Sequence, residues 1–277
     1  MKISIFKFKN KIYNPYKINF KHNLWKIEND LNWIFKNLNN DVNVFNTKIC
    51  LYWLDINLKN TFFPWILKIE RELKSYFIHY YKVEFKNSSI SHLLEKNNYS
   101  ISQKEKNPYE IIIRKDLTNV SVDQLIFSLT FGEFVNLLIS FSNFIKLKIS
   151  KDLDMNLAVF VNLIKFLNIL RNAVAHNKTV IKIKDEKNNK RFSLKKDLFD
   201  FEISKKEIDI ISTNASGSIY ALKVFLTKID DKRKAKLFIK SVKKNFKTFQ
   251  KTIKNSFEYE RIMKLIFINY KKDIFKI

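Results

Sequence analysis

The segment "MNLAVFVNLIKFLNILRNAVAH", residues 155–176, decides the fold. Val159, Leu163, Phe166, Leu167 and Leu170 recur at three- and four-residue intervals, the period of a helix with one apolar face. This is the most apolar helix the sequence predicts, and it runs directly into Arg171, Asn172 and His176. Four residues apart, Asn172 and His176 share a helix face. Arg171 is turned about 100° from Asn172, a rotation its long side chain can span. An apolar helix therefore ends in a guanidinium, an amide and an imidazole within six positions.

Reading outward, "TFGE" at Thr130–Glu133 has capping-box spacing and opens a helix with Phe134, Leu137, Leu138, Phe141 and Ile145 on one face. "SVDQ" at Ser121–Gln124 has the same spacing. Further upstream, residues 85–118 are polar, contain Pro108, and read as a long surface connection. Before them, "TFFPWILKIERELKSYFIHYYKVEF" predicts a helix to about residue 84, with Pro64 in its first turn, where proline is tolerated. A separate short helix is expected over 48–57. A helix over 23–38 carries Leu24, Ile27, Leu31, Ile34 and Leu38, and residues 1–20 read as an arm or short strand. Downstream of His176, "TVIKIK", "DEKNNKR" and "FSL" suggest a small β-hairpin with a charged turn. Basic helices are expected at about 217–229, 232–254 and 257–270.

Composition supports a mainly all-α protein. Two glycines and three prolines are too few for a sandwich or barrel, which needs a turn roughly every 8–12 residues. Gly132 and Gly217 stand too far apart to build a phosphate loop. The single cysteine, Cys50, excludes an internal disulfide and a multi-cysteine zinc site, and it reads as a small core residue. Lysines threaded through "MKISIFKFKNK" leave no signal-peptide core, and no unbroken apolar run spans a membrane. The expectation is a cytoplasmic chain forming one helical domain over 1–277. Its core would cover about 23–180, with an irregular or hairpin insertion at 181–214 and basic helices at 215–277. No cofactor and no metal site are expected.

The formal net charge of +25 points to a polyanion such as RNA. Forty-six lysines against six arginines also fit AT-rich codon usage, so part of the excess reflects composition alone. Lys178, Lys232, Arg233, Lys234 and Lys236 are candidate RNA contacts. For the 232–254 helix the plainer reading is a solvated lysine face.

Arg171, Asn172 and His176 together supply what metal-free RNA cleavage requires. A base takes the 2′-OH proton, the freed oxygen attacks phosphorus, an acid protonates the leaving 5′-oxygen, and a cation stabilises the added negative charge. One imidazole cannot serve on both sides of the phosphorus in a single event, whereas two copies in a symmetric dimer can. The plainer reading is a basic group favoured at a helix C-terminus by the macrodipole. Glu70 and Lys74 read most simply as an i,i+4 pair. His79 reads as a packed or surface helix residue, and His22 and His92 have no partners at metal-ligand spacing. Trp25, Trp33, Trp53 and Trp65 read as core, with base stacking as the use for any that are exposed.

"LRNAVAHN" resembles the Arg-Asn-x-x-x-His motif of HEPN domains, helical ribonuclease modules of toxin and antiphage systems. The order of segments is similar to the abortive-infection AbiD/AbiF-like branch. Residues 55–81 resemble its long early helix, and "LTFGEFVNLL" (129–138) resembles its Phe-Gly-Glu helix start. The likeness covers about residues 23–180. It implies a four-to-five-helix core that dimerises into one composite site, with Arg171 and His176 catalytic and Asn172 supporting. Glu70 would lie where the early helix nears the site. The expected function is a metal-independent endoribonuclease acting as a toxin or antiphage effector, with a structured noncoding RNA as a conceivable antitoxin. Two other readings stay open: a basic module that holds RNA without cutting it, and adsorption to a membrane surface through the cationic helices.

Overall fold

The computed structural model describes residues 44–86, 121–141, 143–182, 193–229, 232–253, 256–268 and 270–276. The expected arm at 1–20, the helix at 23–38, His22, His92, Trp25, Trp33, most of the 85–118 connection and the turn of the expected hairpin lie outside them. The described residues form an all-α fold around one hydrophobic cluster.

The longest element is α1, Val44–Phe85. Its 42 residues span about 63 Å at 1.5 Å per residue. The two helices expected at 48–57 and from Thr61 onward are thus one, and Pro64 lies inside it, well beyond any first turn. The buried stripe explains the continuity: Leu51, Leu54, Leu58, Phe62, Ile66, Ile69, Leu73, Phe77 and Tyr81 form an unbroken apolar row through the proline. Burying that row outweighs the roughly 3 kcal/mol an interior proline costs. Pro64 itself is exposed, as is Asn60, whose carbonyl loses its usual N–H partner and can meet water.

Three short helices follow. In α2 (Val122–Ser128) and α3 (Phe131–Ser140), both predicted capping boxes form, Ser121 with Gln124 and Thr130 with Glu133. The face expected to run on through Phe141 and Ile145 is divided. Phe141 is extended after α3, and Ile145 belongs to α4 (Asn143–Asp152). Phe134 of α3 and Phe141 both set their rings edge-on to Phe77 of α1, with centroids 5.9 and 5.3 Å away.

The decisive segment forms α5, Leu157–Ala175, capped by the Asn156 side chain on the Ala158 N–H at 2.8 Å. Its apolar face meets α1, α3 and α4. By length and composition alone α5 would be apolar enough to cross a membrane, although Asn162, Lys165 and Asn168 interrupt it. Here its buried residues belong to the protein core.

After α5 the described ends of the expected hairpin, residues 179–182 and 193–194, contact other parts of the chain. Lys182 bridges to Asn214, the Ala215 N–H donates to the Ile181 carbonyl, and the Leu194 N–H donates to Ser212 Oγ. A single 3-10 turn, Lys196–Leu198, leads to α6 (Lys205–Ser212). Next comes α7, Ala215–Ile229, which is the hub of the fold and no basic surface helix. It packs on α1, α5 and α6, and on the later α8 (Lys232–Ile253), α9 (Ser256–Phe267) and α10 (Lys271–Phe275). A helix contacted from so many directions must be apolar nearly all round, as α7 is. In contrast, α8 buries Ala235, Phe238, Ile239, Val242, Phe246 and Phe249 against its neighbours and turns its lysines outward.

With glycine so scarce, helix ends are closed by other residues. Lys86, Asp154, Asn177 and Ile268 take the positive φ that glycine usually supplies after a helix. Buried lysines cap other ends from within. Lys74 donates to the Leu129 carbonyl after α2 (2.5 Å), and Lys146 to Ile139 in the last turn of α3 (2.7 Å). Lys223 donates to the Lys276 carbonyl beyond α10 (3.1 Å). Burial pushes the ammonium groups of Lys146 and Lys223 below the ordinary lysine range.

Candidate functional site

The end of α5 is built as a Schellman turn. Asn177 adopts φ 52°, the Lys178 N–H bonds to the Ala173 carbonyl (2.7 Å), and the Asn177 N–H bonds to Val174 (3.2 Å). His176 is the C-cap, with its N–H on the Asn172 carbonyl at 3.0 Å. The turn leaves the His176 side chain exposed, while Arg171 and Asn172 are half-buried one turn back. The three residues singled out in the sequence are thus gathered on the last turns of one helix.

Arg171 carries the clearest signature. Its Nε is enclosed yet has no hydrogen-bond partner, and no ion pair engages its guanidinium among the described residues. Among the described residues five other enclosed polar atoms share that condition; Asp123 Oδ1, Ser216 Oγ and Ser218 Oγ are on other helices, whereas Asn168 Oδ1 is one turn before Arg171 and Glu70 Oε2 is on α1. Buried polar groups are nearly always paired, so each unpaired one calls for a reason. Asn168 lies against α3, where a Cβ added to Gly132 would sit 3.3 Å from its Oδ1. The glycine of "TFGE" therefore makes room for the amide of α5.

Glu70 and Lys74 do form the expected i,i+4 pair, at 2.8 Å, but they are more than a surface pair. Lys74 is 4% exposed and joins Glu70 to the Leu129 carbonyl at the entry to α3. The described ion pair of Glu70 is with Lys74, and none joins it to Arg171.

Of the other candidates, Lys178 belongs to this turn and is half-buried, and the rest lie apart from it. Lys232, Arg233 and Lys236 are exposed and Lys234 is half-buried at the start of α8, which flanks α1 on another side. Lys59 of α1 faces the end of α5, bonding Asn177. Thr61, about 200° further round the helix, holds Asn245 of α8 at 2.8 Å. His79 is exposed on α1 with its ring edge-on to Tyr80. Cys50 is buried, and burial pushes its thiol up to about 11. Trp53 and Trp65 are half-buried, and Trp65 sets its ring edge-on to Phe238 of α8. Among the described residues no three His, Cys, Asp or Glu side chains gather as a metal site.

Sequence reading missed Asp55. This carboxylate is 4% exposed and divides its oxygens between two tasks. Oδ1 accepts the N–H groups of Val180 (2.7 Å) and Ile181 (3.0 Å), and Oδ2 pairs with Lys59 at 2.6 Å. Burial pushes its carboxyl above the ordinary range, opposed by Lys59 and by the two N–H groups. The available signal was an aspartate inside the apolar row between Leu54 and Leu58, with a lysine four residues on.

The fold and this turn define a class, an α-helical bundle whose central apolar helix delivers Arg-Asn-x-x-x-His at its C-terminal end. Residues 11–182 match the Abi-like protein family, and the chain belongs to it. That match covers α1 to α5 and the segment pinned by Asp55, and it stops before α6. No curated protein and no solved structure matches the chain.

Proposed function

We propose that this protein is a metal-independent endoribonuclease of the HEPN type, acting as an abortive-infection effector. The observation that carries this reading is the pairing of an exposed His176 with an Arg171 that no carboxylate engages among the described residues. An arginine held purely for structure would ordinarily satisfy its enclosed N–H with a carboxylate or carbonyl. One left open suits a phosphate, which presents oxygens to the guanidinium fork. Membership of the Abi-like family supports the defence role.

In this mechanism the His176 imidazole takes the proton of a ribose 2′-OH, and the 2′-oxygen attacks the adjacent phosphorus. The P–O5′ bond breaks, giving a 2′,3′-cyclic phosphate and a 5′-OH. The His176 of a second copy protonates the leaving oxygen, and Arg171 from each copy stabilises the extra charge on phosphorus. Asn172, on the same face as His176, orients the scissile group. Glu70 and Lys74 hold the entry of α3 against α1 and so help to fix the helices that pack beside α5.

The test is cleavage of single-stranded RNA with EDTA present. Cutting should persist and leave cyclic or 2′/3′-phosphate and 5′-OH ends. RNA with a single 2′-deoxy at the scissile position should survive. A strict requirement for magnesium, or cleavage of DNA, would remove the mechanism.

The exposed lysine face of α8 favours one other reading, a module that holds RNA without cutting it. RNA that is bound tightly but never cleaved, whatever its sequence, would favour that module.

A further inference from the structure

Asp55 and Lys59 stand outside the machinery just described, yet they meet its most delicate element. The turn after α5 fixes where His176 points, and it is held open to solvent by a non-glycine residue at positive φ. Asparagine tolerates this conformation better than most residues but less freely than glycine, so contacts that hold it there stabilise the turn. The enforcement comes from α1. Lys59 Nζ donates to both the carbonyl (3.3 Å) and Oδ1 (3.0 Å) of Asn177, the residue at positive φ immediately after His176. The same ammonium is anchored 2.6 Å from Asp55 Oδ2. The other oxygen of Asp55 holds Val180 and Ile181, three and four residues further on. Beyond them, the Ile181 carbonyl takes the Ala215 N–H, tying the strap to the start of α7.

We propose that Asp55 and Lys59 are positioning residues for His176: a buried carboxylate and its lysine grip the chain at Asn177 and at Val180–Ile181, and so fix the turn that aims the imidazole. This rests on the ribonuclease reading for its effect on catalysis, but the grip itself can be measured without RNA. Neither residue touches the reacting atoms. Lys59 is an ammonium on a long stem, and its position is set by Asp55, so the two act as one device.

The division of labour between the oxygens allows a clean dissection. Asp55→Asn keeps an oxygen for the two backbone N–H groups and removes the ion pair. Lys59→Met removes the link to Asn177 and leaves Asp55 in place. Lys59→Arg keeps a cation able to bridge both. Two readouts are taken on each folded full-length variant: amide hydrogen exchange over residues 174–182, and single-turnover and steady-state cleavage of a short single-stranded RNA. In Lys59→Met and Asp55→Asn, exchange over this stretch should quicken roughly tenfold or more, with the rest of α5 unchanged. The kcat should fall by roughly tenfold to a hundredfold while KM stays within about twofold, the mark of a misaimed group. Lys59→Arg should restore most of both.

A folded Lys59→Met with unaltered exchange overturns the proposal, and so does faster exchange with unaltered kcat. If the wild-type protein cuts no RNA, the ribonuclease reading falls by itself. The grip is then judged by exchange and by the His176 imidazole NMR signal, which should broaden or shift in Lys59→Met. An unmoved signal would end the claim.

Discussion

His176→Ala should bind single-stranded RNA within about twofold of the wild-type affinity and cut it slower by about 10²–10⁴, the range spanned by a single general acid–base group. The side chain is exposed and makes no packing contribution that its loss would expose, so the variant should fold normally. Growth arrest on expression should disappear with cleavage. Arg171→Ala should differ in kind. Its guanidinium contributes to holding phosphate as well as to stabilising the extra charge, so affinity and rate should both fall, and the salt dependence of binding should flatten by about one charge. Filter binding beside a cleavage assay separates the two. A fully toxic His176→Ala would remove the catalytic reading in favour of the binding module.

Gly217→Ala should destabilise the protein by about 3 kcal/mol, lowering Tm by roughly 6–12 °C. Helix propensity argues for the opposite sign, since alanine in a helix is worth about 1 kcal/mol more than glycine. Space overrides propensity here. A Cβ on Gly217 would stand 2.5 Å from the Ile211 carbonyl oxygen and 3.1 Å from the Ser212 Cα, both backbone atoms at the end of α6. Neither can swing aside, so α6 and α7 would have to part. Gly132→Ala is the control. Its Cβ would meet only the side-chain amide of Asn168, at 3.3 Å, which can yield by a few tenths of an ångström. That variant should lie close to wild type in a calorimetric melt, and a Gly217→Ala melt equal to it would refute the steric account.

Legibility in the sequence followed how local each cause was. The long apolar helix α5 was readable because its stripe and its Arg-Asn-x-x-x-His end are both written within a few turns. The starts of α2 and α3 were readable because a capping box needs only four residues. The continuity of α1 was not. Pro64 is a strong local stop, and what overrides it is a row of α1 side chains buried by six other helices. The hub α7 misled for the same reason. Its lysines suggested a surface helix, whereas Lys223 is spent on the carbonyls beyond α10 and the rest is enclosed by neighbours distant in sequence. The partners of residues 181–182 were not legible because they lie at 214–215, beyond a helix and a turn. Of the site, the motif was visible and its support was not. Asp55 reaches residues 125 and 126 positions away, and a carboxylate four before a lysine looks, on paper, like any solvent-facing pair.

The lysines that cap helix ends from inside change what the formal charge means. Lys74, Lys146 and Lys223 have their ammonium groups on carbonyl oxygens in the interior, where they compensate the partial negative ends of helix dipoles and contribute little to the potential outside. Formal charge and presented charge are therefore different quantities in this chain. Wholesale exchange of lysine for arginine, which keeps the total of +25, separates them. On the outer face of α8 the exchange alters little beyond hydrogen-bond geometry. At the three interior positions a broad planar group would have to fit where a single nitrogen now sits, and the ends of α2, α3 and α10 would register it. The lysines so abundant in this sequence are in this way part of its architecture, closing helix ends in a chain with only two glycines.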